Sequence, residues 1–120
     1  MKIAIVFLII LLFVTVPKWI GAQNVSIAKQ RFDAKKTIGI DVRTKEEFKS
    51  NGADNSLNMP VDELESLIAK SDIAQDAMIF LFCRSGARSQ RAKQILEKMG
   101  YKDVTNIGTY KDWVNISTTP

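Results

Sequence analysis

The chain alternates between polar stretches and compact apolar ones. Ile3 to Val16 is a run of 14 residues broken only by Thr15, short for a bilayer span but suited to the core of a secretory signal. Residues 23–37 are mixed and polar; Ile27 and Phe32 are expected to cover one edge of the core, with no element assigned. Ile38-Gly39-Ile40-Asp41-Val42 reads as a short buried strand. Thr44 followed by Glu47 is a capping box, predicting a short helix that stops near Asn51-Gly52. Residues 51–60 read as loop, with a small strand at Leu57-Asn58-Met59. Val61, Leu64, Leu67 and Ile68 form a helical stripe. Met78 to Phe82 is apolar at every position, the signature of a strand covered on both faces. Ala92, Ile95, Leu96 and Met99 recur at helical spacing, predicting a helix from Ser89 to Met99 that ends at Gly100. Asp103 to Ile107 reads as a further strand, followed by a Gly108-Thr109 turn and a helix or turn carrying Trp113.

Strands alternating with helices predict an α/β fold, a small parallel sheet with helices on both faces. In such sheets ligands bind beyond the carboxyl ends of the strands. The most apolar strand, expected at the centre, delivers Cys83 to that end.

Length and charge set bounds. With 120 residues there is room for one domain. Met1-Lys2 ahead of the apolar run and Ile20-Gly21-Ala22 after it fit a signal peptide cleaved after Ala22, leaving 23–120 as the folded domain. The alternative is an uncleaved anchor, with Lys18 and Trp19 at the membrane interface. The first reading implies export, in a bacterium to the periplasm; the second implies tethering to the inner membrane facing the periplasm. Losing Lys2 and Lys18 lowers the net charge from +4 to +2, too weak and too evenly spread for a nucleic-acid partner.

Cys83 is the one cysteine of the chain and there is no histidine. An internal disulfide is excluded, and so are Cys-His and Ser-His catalysis and most zinc sites; no metal and no cofactor is expected. Cys83 opens Cys83-Arg84-Ser85-Gly86-Ala87-Arg88-Ser89, between the end of a strand and the start of a helix. Backbone N–H groups without partners gather at such a place, favouring anions and thiolate over thiol. Gly86 permits the tight curl, the amides form a nest around the sulfur, and the helix adds its positive end. Arg88 is expected to back the loop or face the anion, and Arg84 to face solvent or incoming substrate. Ser85 and Ser89 can donate to an anion, although serine at a helix start is usually only a cap. Arg91, one position further along, reads as a surface charge.

These residues resemble the active-site loop of single-domain rhodaneses, thiosulfate sulfurtransferases. Asp41-Val42-Arg43 with Glu46-Glu47-Phe48 resembles that family's Asp-Val-Arg segment. Leu57-Asn58-Met59-Pro60 resembles its short apolar-Asn-apolar-Pro segment, and Gly100-Tyr101 with Gly108…Trp113 resembles its closing strand and turn. Gly52 and Asn55 stand where the family often has a histidine and a glycine. The resemblance spans residues 37–113, and with a signal peptide it suggests an exported member. It implies that the Cys83 thiolate attacks the outer sulfur of thiosulfate or another sulfane-sulfur donor. A persulfide forms on Cys83 and is passed to cyanide or a thiol. The amides of residues 84–88, in Arg84, Ser85, Gly86, Ala87 and Arg88, would hold the persulfide. Arg84 and Arg88 would favour the anionic donor, and Asp41 and Arg43 would brace the loop.

Two rivals share these residues. Cysteine phosphatases and arsenate reductases use a ring one residue longer, Cys-x5-Arg, wide enough for a tetrahedral oxyanion and an arginine fork; the Cys-x4-Arg spacing here suits a single sulfur. A non-enzymatic binding module of rhodanese-like fold is the other, and such modules usually lack the cysteine.

Overall fold

The computed structural model describes residues 24–118; the expected signal segment lies outside the described residues. Four strands form one parallel sheet in the order β2-β1-β3-β4. They are β1 (Ile38–Asp41), β2 (Ser56–Asn58), β3 (Met78–Cys83) and β4 (Asp103–Thr109). The helices are α1 (24–31), α2 (Lys45–Ser50), α3 (Leu64–Ala69), α4 (Ala87–Lys98) and α5 (Tyr110–Thr118). No helix among the described residues is long and apolar enough to cross a membrane.

The apolar run of β3 makes it an interior strand. Ile79, Leu81 and Cys83 point into one core with Leu64 and Ile68 of α3 and Ala92 and Leu96 of α4. Phe80 and Phe82 point into the other, with Ala28 of α1, Ile107 of β4 and Trp113 and Ile116 of α5. Two-faced burial of one strand, expected from its composition, is thus realised. The second core closes on Trp113, whose ring stacks on Phe82 at 5.5 Å and 8° and meets Phe32 edge-on at 5.8 Å. A Cβ on Gly39 would lie 2.5 Å from that indole, so β1 can pass beneath it only as glycine.

Local signals set the ends of several elements. Thr44 caps α2, accepting from the Glu47 amide, while the Glu47 carboxylate accepts from the Thr44 amide. Gly100, at φ +98°, ends α4: its amide reaches Glu97 O and that of Tyr101 reaches Leu96 O, both at about 3.0–3.1 Å.

Other boundaries depart from the sequence-based expectation. Residues 24–31 are a helix whose inward stripe is Val25 and Ala28, continued by Phe32 just beyond its end; Ile27 is on the outer side, 52% exposed, so the edge it was expected to cover is covered by Ala28 instead. The Val61 stripe begins as a turn, and α3 proper starts at Leu64. α4 begins at Ala87, two residues before Ser89, because Gly86 takes the cap position in a left-handed conformation, φ +96°, and its carbonyl accepts from the Gln90 amide at 3.0 Å. β4 runs on to Thr109, with one extra residue inserted where its register on β3 jumps from Asn106 to Gly108.

Candidate active site

The carboxyl ends of the strands bring Asp41, Asn58, Cys83 and Thr109 to one side of the sheet. Because α4 starts at Ala87, only Arg84, Ser85 and Gly86 separate strand from helix. So short a link must turn sharply, and it brings the Gly86 amide to 3.0 Å from Cys83 Sγ. The amides of Ser85 and Ser89 also favour the charged sulfur. Among the described residues, no such contribution comes from the amides of Arg84, Ala87 or Arg88. Of the amides of residues 84–88 expected to hold a persulfide, that of Gly86 meets Sγ itself. The Ser89 hydroxyl, fully buried, lies 3.5 Å from Sγ.

Cys83 is buried, and burial alone pushes a thiol up by disfavouring its charge; hydrogen bonds from the Ser89 hydroxyl and from the amides of Ser89, Ser85 and Gly86 outweigh it and hold the thiol below its ordinary value.

The two loop arginines differ. Arg88, in the first turn of α4, is held by Glu47 of α2, with Nη1–Oε1 at 2.6 Å and Nη2–Oε2 at 3.0 Å. Arg88 lowers the Glu47 carboxyl most; partial burial opposes this, the Thr44 amide and hydroxyl add to it, and the result is about 2 against an ordinary 4.5. Glu47 in turn raises the Arg88 guanidinium. Arg88 thus has its charge largely matched by Glu47. Arg84 is exposed and makes no ion pair among the described residues. It lines a cavity of about 240 Å³ with Arg43, Glu46, Glu47, Ser50, Asn51 and Tyr110. Arg91 is an exposed surface charge facing Asp62 at 3.4 Å.

Asp41 and Arg43 are joined in a buried pair. Arg43 Nη2 lies 2.8 Å from Asp41 Oδ2, Nε bonds both carboxylate oxygens at 3.0 Å, and the Arg43 amide bonds Oδ1 at 2.9 Å. The guanidinium also donates to Asn51 O at the end of α2 and lies 4.3 Å from the centroid of the Tyr110 ring. Asn58 Nδ2 donates to the carbonyls of Asp41 and Arg43. The pair ties the end of β1 to β2, α2 and α5; the link onward to the sulfur loop runs through α2, by way of Glu47 and Arg88.

Sequence reasoning missed two contributors and weighed a third too lightly. Glu47 reads only as a helix cap, because its partner is 41 residues away. Ser89 reads as a possible anion donor but more readily as a helix cap, and its place beside Sγ was not expected. Asn106, in β4, gave no signal; its side chain holds Ser89, Gly86 and Gly108 together.

Comparison with known proteins gives a consistent result. The family model for rhodanese-like domains matches residues 24–116. A putative mitochondrial thiosulfate sulfurtransferase of Schizosaccharomyces pombe is 34% identical over 73% of this chain and 70% of its own length. The thiosulfate sulfurtransferase PspE of Escherichia coli is 34% identical over 61% of this chain and 70% of its own. Among solved structures, a rhodanese with anions from E. coli superposes with a TM-score of 0.59 at 33% identity, covering 63% of this chain and 89% of that one. A human single-domain sulfurtransferase superposes with a TM-score of 0.60 at 27% identity, covering 68% and 84%.

Proposed function

The chain belongs to the rhodanese-like domain family, and from that premise we propose that it is a thiosulfate sulfurtransferase working through a persulfide on Cys83. The thiolate attacks the outer sulfur of thiosulfate; the new S–S bond forms as the S–S bond to the sulfite group breaks, and sulfite leaves with the bonding electron pair. A thiol or cyanide then attacks the outer sulfur, and Cys83 leaves as thiolate. No external oxidant or reductant is required.

The observation that carries this reading is the Gly86 amide 3.0 Å from Cys83 Sγ, in a link of three residues. Amide donors in a tight ring favour the anionic nucleophile and the negative charge that passes to the outer sulfur. A ring of this size fits one added sulfur, whereas a phosphoryl group needs a wider one. Arg84, exposed and without an ion-pair partner among the described residues, is the cation that draws in the dianionic donor. Arg88 acts from behind, positioning the first turn of α4.

In this reading residues 1–22 direct the protein out of the cytoplasm and are removed, leaving the domain in the periplasm of a bacterial cell. The test of the activity is thiosulfate-dependent formation of thiocyanate from cyanide: turnover by the native protein and none by Cys83→Ser is expected, while equal rates for the two overturn the proposal. Hydrolysis of an aryl phosphate dependent on Cys83 would favour the phosphatase reading instead.

A further inference from the structure

The Ser89 hydroxyl has one proton to give and three neighbours able to take it. Its oxygen lies 2.7 Å from Asn106 Oδ1, 3.0 Å from Gly86 O and 3.5 Å from Cys83 Sγ. Buried polar groups normally resist rearrangement because moving one donor leaves an acceptor bare. Here it does not. Asn106 Oδ1 also accepts from the Gly108 amide at 2.9 Å. Gly86 O also accepts from the Gln90 amide at 3.0 Å and from Asn106 Nδ2 at 3.1 Å. Whichever acceptor the hydroxyl abandons keeps another donor. No buried side-chain nitrogen or oxygen among the described residues lacks a partner.

We propose that Ser89 is a reassignable hydrogen-bond donor that follows the charge on Cys83 Sγ through the reaction cycle, with Asn106 as its resting acceptor. The inference rests on Cys83 being the sulfur-carrying nucleophile. With Cys83 protonated, the thiol donates to Ser89 Oγ and the hydroxyl donates to Asn106. With Cys83 ionised, the hydroxyl turns to the sulfur, at the cost of one neutral hydrogen bond and no orphaned group. When the persulfide forms, Sγ becomes a neutral bridging sulfur, its hold on the proton weakens, and the hydroxyl returns to Asn106. On transfer to the acceptor, charge reappears on Sγ as it leaves, and Ser89 turns back to meet it. The serine thus favours the thiolate as a leaving group and raises its population before attack, while the loop amides serve the outer sulfur.

The charged groups around this end of the sheet are Arg84 in the loop, Arg88 of α4, Glu47 of α2, the Asp41–Arg43 pair at the end of β1, and Asp112 at the start of α5. Ser89→Ala changes none of them. It also leaves Asn106 Oδ1 and Gly86 O with their remaining donors, so the variant is expected to fold with a thermal midpoint near that of the native protein.

The experiment is titration of the Cys83 thiolate by its ultraviolet absorbance, without substrate, in the native chain, Ser89→Ala and Ser89→Thr, with Cys83→Ser as blank. The midpoint of Ser89→Ala is expected to rise by about one unit, the worth of one hydrogen bond to a charged group. The pH profile of single-turnover persulfide formation from thiosulfate should move by the same amount. Ser89→Thr, which keeps a hydroxyl, should titrate with the native protein. An alanine variant that titrates like the native chain, or alanine and threonine variants that shift alike, overturns the proposal. Failure of the native protein to accept sulfur from thiosulfate would instead count against the sulfurtransferase reading, since the titration needs no donor.

Discussion

Glu47 and Arg88 stand 41 residues apart in sequence and meet in two parallel hydrogen bonds, 2.6 and 3.0 Å long. The same carboxylate closes the capping box of α2, so one side chain fixes a helix start and clamps the first turn of the helix behind the sulfur loop. The pair is about one-third exposed, which limits its strength through solvent screening. Its consequence is positional: among the described residues it leaves Arg84 as the loop cation without an ion-pair partner.

Acid stability should report on this clamp. A carboxyl held at about 2 in the folded chain, against an ordinary 4.5, adds stability above pH 4.5 that is withdrawn as the pH falls towards 2. Urea unfolding at a series of pH values should show Glu47→Gln less stable than the native protein near neutrality. The gap should close across that window. A gap that persists unchanged at pH 2 would remove the ion pair as its cause.

The division of labour between the arginines predicts different kinetics. Arg84→Ala should raise the KM for thiosulfate by about ten-fold, the worth of one charge-assisted contact. Arg88→Ala should leave KM closer to native and instead lower kcat, as the loop loses its backing. Steady-state kinetics of the two variants separate the roles, and equal or reversed effects on KM would contradict the assignment.

The buried pair Asp41–Arg43 is a brace. Replacing Arg43 with methionine strands a carboxylate that is fully buried. The expected loss is about 3 kcal/mol, measured by urea unfolding near neutral pH. A loss under about 1 kcal/mol would mean that the pair carries little structural weight.

What the sequence reveals and what it hides divides along range. The apolar run of β3, the capping box at Thr44 and the stop at Gly100 are all written in contiguous residues, and each forms as read. α1 was missed because its inward stripe, Val25 and Ala28 continued by Phe32, is thin and set among polar residues. The start of α4 was misjudged because a left-handed glycine cap carries no side-chain signal. The pairings of Glu47 with Arg88, Ser89 with Asn106, and Gly39 with the Trp113 ring depend on which strands become neighbours, which no local pattern encodes. Asn55 is intermediate: it stands where the family often has glycine, and its φ of +63° is one that asparagine tolerates better than most residues.

The central claim is that Cys83 carries a sulfur atom, and intact mass after exposure to thiosulfate tests it most directly. The native protein should gain about 32 Da. The gain should map to the peptide containing Cys83, vanish on addition of cyanide, and be absent from Cys83→Ser. An unchanged native mass, or the same gain in the serine variant, would contradict it.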